Sequence, residues 1–144
     1  SADARFWRAV NLGRWAELKG AFQALGEIRT LRAEMHAIIE AHPNYTSAYS
    51  FLGSYYYQVP RVLGGDVDEA MRMFRKGLAL NPRGTGMRVG LARTLIDKNM
   101  PKEARVELRR VLDETAPSNP AEWKLRDGPA ARKLLETLAG AREP

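Results

Sequence analysis

The chain has 144 residues, 44% of them hydrophobic and 28% charged, with a formal net charge of +6. That is the length of one domain with a single core, and the composition is too apolar for a disordered chain. No apolar run approaches the roughly 18–20 residues of a membrane span, and cysteine is absent, which excludes disulfides, thiol nucleophiles and Cys-based zinc sites while leaving cytosol and periplasm both open.

Helical periodicity dominates and no strand-like alternation is present. The first pattern runs over about residues 4–20, with Phe6, Trp7, Val10, Leu12, Trp15 and Leu18 as its apolar positions. A second spans about 26–41 and ends at His42-Pro43, because the residue before a proline avoids the helical region. A long connection is expected between Gly20 and Gly26. A third helix covers about 45–58 and stops at Val59-Pro60. Gly64-Gly65-Asp66 then reads as a turn into an N-cap, with Glu69 three residues on. The fourth helix closes at Asn81-Pro82 and the fifth spans about 85–98. Pro101 opens the sixth, which runs to about Asp113. Residues 117–120 read as a loop, and a last helix is expected from Asp127-Gly128-Pro129 to about Gly140.

The helices repeat. Residues 49–82 read Tyr49-x2-Leu52-Gly53-x2-Tyr56, then Ala70-x3-Phe74, then Pro82. Gly53 and Ala70 are small where two helices cross closely, Leu52, Tyr56 and Phe74 fill the space between them, and Pro82 ends the pair. Leu91-Ala92-x2-Leu95 with Ala104-x3-Leu108 repeats the spacing, and Trp7, Val10, Leu31, Met35, Ile38 and Pro43 form a weaker copy. This pattern resembles the tetratricopeptide repeat (TPR). It implies an all-α, TPR-like superhelix of about three helix pairs, one domain over 1–144 with units at about 3–43, 44–82 and 83–117. A capping helix at about 127–140 would cover the last apolar face.

In the middle unit the link from Tyr56 to Ala70 is five residues longer than that from Leu95 to Ala104. The excess falls in Val59–Asp66. Together, Asn11-Leu12-Gly13-Arg14-Trp15-Ala16-Glu17-Leu18-Lys19-Gly20, Pro60-Arg61-Val62-Leu63-Gly64-Gly65-Asp66 and Ala131-Arg132-Lys133-Leu134-Leu135 resemble the TatT family, the TPR-containing T component associated with TRAP-type transporters. The resemblance implies a periplasmic, often lipid-anchored bacterial protein that partners a TRAP substrate-binding protein, helps deliver a small organic ligand and can form homo-oligomers. The alternative is a general TPR adaptor, cytoplasmic or periplasmic, that recognises peptides. The chain opens in mid-pattern without an initiator methionine, so contact with a membrane is expected only through an anchor ahead of Ser1.

TPR arrays bind through the face lined by the first helix of each pair. Projected from the repeat register, that face carries Arg8, Leu12 and Trp15, then Ser50, Ser54 and Tyr57, then Arg93; Arg5, Ser47, Val89 and Ile96 border it. Arginine pairs with carboxylates bidentately, so an organic acid or a peptide terminus would suit this lining. The insert, with Pro60, Arg61, Leu63, Gly64, Gly65 and Asp66, reads either as a turn whose Leu63 packs on the repeat and whose Asp66 caps a helix, or as a partner contact. Of the three consecutive tyrosines, Tyr57 is assigned to the groove and Tyr56 to the core.

No catalytic constellation emerges. His36 and His42 are six residues apart, on different faces of a helix, and H-E-x-x-H is absent. Capping accounts for Asp66 beside Asp68 and Glu69, so no metal is assigned. Gly84-x-Gly86-x3-Gly90 has the wrong spacing for a dinucleotide loop. No cofactor and no enzymatic activity are expected. Arg105, Arg109 and Arg110 interleave with Glu103, Glu107 and Asp113, which reads as a solvated face rather than a nucleic-acid footprint.

Overall fold

The structure, a computed structural model, describes residues 1–17 and 21–141, with the side chains of residues 11–17 and 21–22 left undescribed. Helix α1 (Ala2–Glu17) packs on α2 (Ala21–Ala41), α3 (Thr46–Gln58) on α4 (Val67–Leu80), and α5 (Thr85–Asp97) on α6 (Pro101–Asp113). A single 3-10 turn (Arg61–Leu63) lies between α3 and α4. Successive pairs stack through α2 on α3 and α4 on α5. The chain closes with α7 (Pro120–Glu122), a π-helical turn (Trp123–Asp127) and α8 (Gly128–Gly140), which packs on α6. The fold is all-α, a TPR-like array of helix pairs, with no strand among the described residues. No described helix is long and apolar enough to cross a membrane.

Two buried clusters hold the array. Leu31, Met35 and Ile38 of α2 meet Ala48, Tyr49 and Leu52 of α3 and Met73 of α4. Phe74 and Leu78 of α4 meet Leu91 and Leu95 of α5, Leu108 and Val111 of α6, and Ala131 and Leu138 of α8. Each side chain of this size contributes about 1.5–3 kcal/mol on burial. Tyr56 packs against both clusters and joins them.

Phe74 sets the spacing of the middle of the stack. Its ring lies so close to α3 and α5 that a Cβ on Gly53 would fall 2.6 Å from it and one on Gly90 2.4 Å. The aromatic of α4 is thus clasped between two glycines on the two helices that flank it.

The insert is a compact turn rather than an open loop. The amides of Leu63 and Gly65 both donate to the Pro60 carbonyl, at 2.9 and 3.0 Å, and the Asp66 amide donates to the Tyr56 carbonyl at 2.9 Å. A Cβ on Gly65 would sit 1.6 Å from the Val59 carbonyl oxygen, so no other residue fits without moving the backbone. The Asp66 carboxylate accepts from the Glu69 amide at 3.1 Å and caps α4. Glu69 does not reciprocate; it holds the Arg72 guanidinium instead.

Several expectations are corrected. Helix α2 begins at Ala21, so Gly26 is inside it, and any link from α1 falls within residues 18–20, outside the described residues. Leu63 is not buried in the repeat but only partly covered, at 38% exposure, and Val62 beside it is 92% exposed. Tyr55, not Tyr56, is the fully buried tyrosine of the three; Tyr56 is half-buried at the junction. The largest difference is at the C-terminus. The last helix starts at Pro120, not near Asp127, with Asn119 accepting from the Glu122 amide at 3.2 Å as its cap. Pro129, which has no amide to give, is absorbed where the helix widens: the Gly128 amide reaches the Trp123 carbonyl five residues back. A π-turn of this kind is the usual way a helix accommodates such an interruption.

Candidate functional site

The groove lies between α3, α5 and the first turns of the C-terminal helix and encloses about 560 Å³, a volume within the range of ligand and peptide sites. From α3 come Ser47, Ser50, Ser54 and Tyr57, spaced three or four residues apart and therefore on one face. From α5 come Gly86, Val89, Gly90 and Arg93, with Val89 and Gly90 one turn after Gly86 and Arg93 a turn further on. The third wall is Glu122, Arg126, Asp127 and Ala130.

The side chains differ in how they are held. Arg93 is exposed and makes no ion pair within 4 Å among the described residues. The Tyr57 phenol is pushed up in pKa by burial and by the neighbouring Asp97 carboxylate, with Arg93 acting against the shift. Asp127 is half-buried. Its Oδ2 accepts from the Thr85 hydroxyl at 2.8 Å, which ties the C-terminal helix to the start of α5. Burial raises the Asp127 pKa, the Thr85 hydrogen bond opposes this, and the neighbouring Glu122 adds to the rise. Arg126 is engaged elsewhere, with Glu122 at 3.2 Å. Beyond the groove, Arg88 bridges α5 to Glu107 of α6 at 2.6 Å and to the Pro82 carbonyl at 2.6 Å, a largely buried pair that fixes the register of the last two helices.

The structure brings Ser50, Ser54, Tyr57 and Arg93 together around one space. Arg8 is not among them. It projects from α1 towards Glu34 of α2 at 3.4 Å, because the helix face presented by the weakly patterned first unit is not fixed by its register alone. The side chains of Leu12 and Trp15 lie outside the described residues, as does most of the Asn11–Gly20 stretch. Pro60, Arg61, Leu63, Gly64, Gly65 and Asp66 form the turn above α4, away from the groove lining. Sequence reasoning missed Glu122, Arg126 and Asp127 as a groove wall. Asn119-Pro120, a cap followed by proline at the first helical position, was the signal that could have found them.

Residues 62–127 match the family model of the tetratricopeptide repeat. That segment carries α4, α5, α6 and the third wall of the groove, while the α3 wall with Ser47, Ser50, Ser54 and Tyr57 lies ahead of it. Tetratricopeptide repeats are typically scaffolds without catalytic function, and protein partners are their common ligands. No curated protein matches the chain. Among the described residues, no three acidic or histidine side chains are grouped to hold a metal ion.

Proposed function

We propose that this tetratricopeptide protein is a non-enzymatic scaffold that holds an extended peptide segment of a partner protein in the groove between α3, α5 and the first turns of the C-terminal helix. The observation that carries the reading is the row of hydroxyls, Ser47, Ser50 and Ser54, ending at an Arg93 guanidinium that makes no ion pair within 4 Å among the described residues. Hydroxyls both donate and accept, which suits the alternating amides and carbonyls of an extended backbone. The open guanidinium suits a carboxylate. The test is binding of a peptide library to the full chain, followed by the affinity of a selected peptide for Arg93→Ala. A loss of about 10–100-fold is expected for a charge-assisted contact. Equal binding to the wild type and Arg93→Ala would remove the arginine from the site.

A second reading is a TatT-like component of TRAP-type uptake in the periplasm, with a solute-binding protein as partner. It is favoured by the Pro60–Asp66 turn, which is tightly built yet presents Val62 to solvent at 92% exposure. Native mass spectrometry of the full-length protein from its own host separates the two. A co-purified solute-binding protein or retained small organic mass supports the transport reading, and a bare chain that still captures peptides leaves the adaptor.

A further inference from the structure

Asp127 is a charged group in the groove whose chemistry the peptide reading leaves unused. Four charged side chains line the cavity: Arg93, Arg126, Glu122 and Asp127. Arg126 and Glu122 neutralise each other at 3.2 Å. What remains is one anion, Asp127, and one cation, Arg93, and neither meets an opposite charge within 4 Å among the described residues. A half-buried carboxylate whose only described partner is a neutral hydroxyl, Thr85 at 2.8 Å, retains unfilled acceptor capacity facing the groove. Both Asp127 oxygens lie 3.7 Å from where a Cβ on Gly86 would stand, so glycine at that position leaves the space in front of the carboxylate open.

The two charges are set at a defined separation. Gly86, beside Asp127, and Arg93 are seven residues apart on α5, a rise of about 10 Å along the helix. An extended peptide covers that distance in about three residues. Ser47, Ser50 and Ser54 run one turn apart along the facing wall.

We propose that the end of the groove walled by Asp127 is a subsite for a basic side chain, and that the bound segment carries this lysine or arginine about three residues from the carboxylate held by Arg93. The inference rests on the groove being a peptide site and adds to it the charge pattern of the partner. A purely structural role for Asp127, docking the C-terminal helix onto the start of α5 through Thr85, makes a different prediction. Asp127→Asn keeps an oxygen to accept from that hydroxyl and removes only the charge.

The test uses the full chain with a positional-scanning library of seven-residue peptides blocked at both ends, against the wild type, Asp127→Asn, Asp127→Lys and a groove-filled Ser50→Trp. The wild type is expected to select lysine or arginine and, about three residues away, aspartate or glutamate. Asp127→Asn should lose the basic preference and about tenfold or more in affinity for the selected peptide, while binding its Lys→Gln version as well as the wild type does. Asp127→Lys should exchange the basic preference for an acidic one. If the wild type and Asp127→Asn select the same sequences, or the wild type selects none with a basic residue, the subsite is overturned while peptide binding stands. If no peptide binds better to the wild type than to Ser50→Trp, the peptide reading itself falls, and the subsite with it.

Discussion

Two buried tyrosines on α3 show how much depends on one oxygen. The Tyr49 hydroxyl donates to the Pro43 carbonyl at 2.8 Å and so ties the α2–α3 turn to the helix. The Tyr55 hydroxyl is buried beneath the insert with no hydrogen-bond partner among the described residues, which costs free energy that a phenyl ring would not incur. Tyr49→Phe is therefore expected to destabilise the fold by about 1 kcal/mol, and Tyr55→Phe to leave it unchanged or slightly more stable. Urea unfolding of both variants checks this, and a Tyr55→Phe loss equal to that of Tyr49→Phe would show that the Tyr55 hydroxyl is satisfied. Sequence placed Tyr49 in the repeat pattern correctly, but the contrast between the two was not legible. Whether a buried hydroxyl finds an acceptor depends on how the adjoining turn folds back over the helix, which residue spacing does not fix.

Among the elements, the insert and the C-terminal helix separate what local sequence fixes from what it does not. The insert's Gly65 has its reason within six residues: its Cβ would overlap the Val59 carbonyl. Gly65→Ala should therefore force the turn open, release the Asp66 cap and lower stability by about 1–3 kcal/mol. Circular dichroism melting measures the loss, and an unchanged Tm would mean that the turn is not held as described. The C-terminal helix behaved otherwise. Asp127-Gly128-Pro129 has the local chemistry of a helix start, yet it lies in mid-helix. Trp123 donates its indole N–H to the Val111 carbonyl at 2.7 Å and packs on the core, which draws the preceding turn into helix. Local propensity lost to that contact, and with it went the position of Asp127 in the groove.

At the scale of the whole molecule, the junction between the two core clusters is sensitive to acid. His36 of α2 meets the Tyr56 phenol at 2.9 Å, and Tyr56 is the side chain that packs against both clusters. Burial and then Arg32 lower the His36 pKa, with Arg72 acting the same way and Glu69 and Glu40 opposing. The folded protein thus takes up this proton less readily than the unfolded chain, whose histidine titrates near 6.5. Stability from this group is full above that pH and is lost as pH falls from there through the lower folded pKa. The Tm of wild type should decline over this range more steeply than that of His36→Gln. Parallel pH profiles for the two proteins would take the junction out of the acid response.

Sequence alone determined the helical periods, the prolines that end α2 and α4 and open α6, and the small Gly53 on the α3 side of Phe74, though not Gly90 on its α5 side. Each of these is a local consequence of backbone chemistry or of spacing along one helix. It also determined that Ser50, Ser54 and Tyr57 share a face, and that Arg93 lies on the matching helix of the next pair, because three- and four-residue spacing fixes a face without reference to the rest of the chain. Only the tertiary structure decided that Arg8 turns to Glu34 and away from the groove, and that Asp127 comes to face the groove beside Gly86 of α5. Those outcomes depend on contacts between residues distant in sequence, where packing against a shared core outweighs the preference of any single turn.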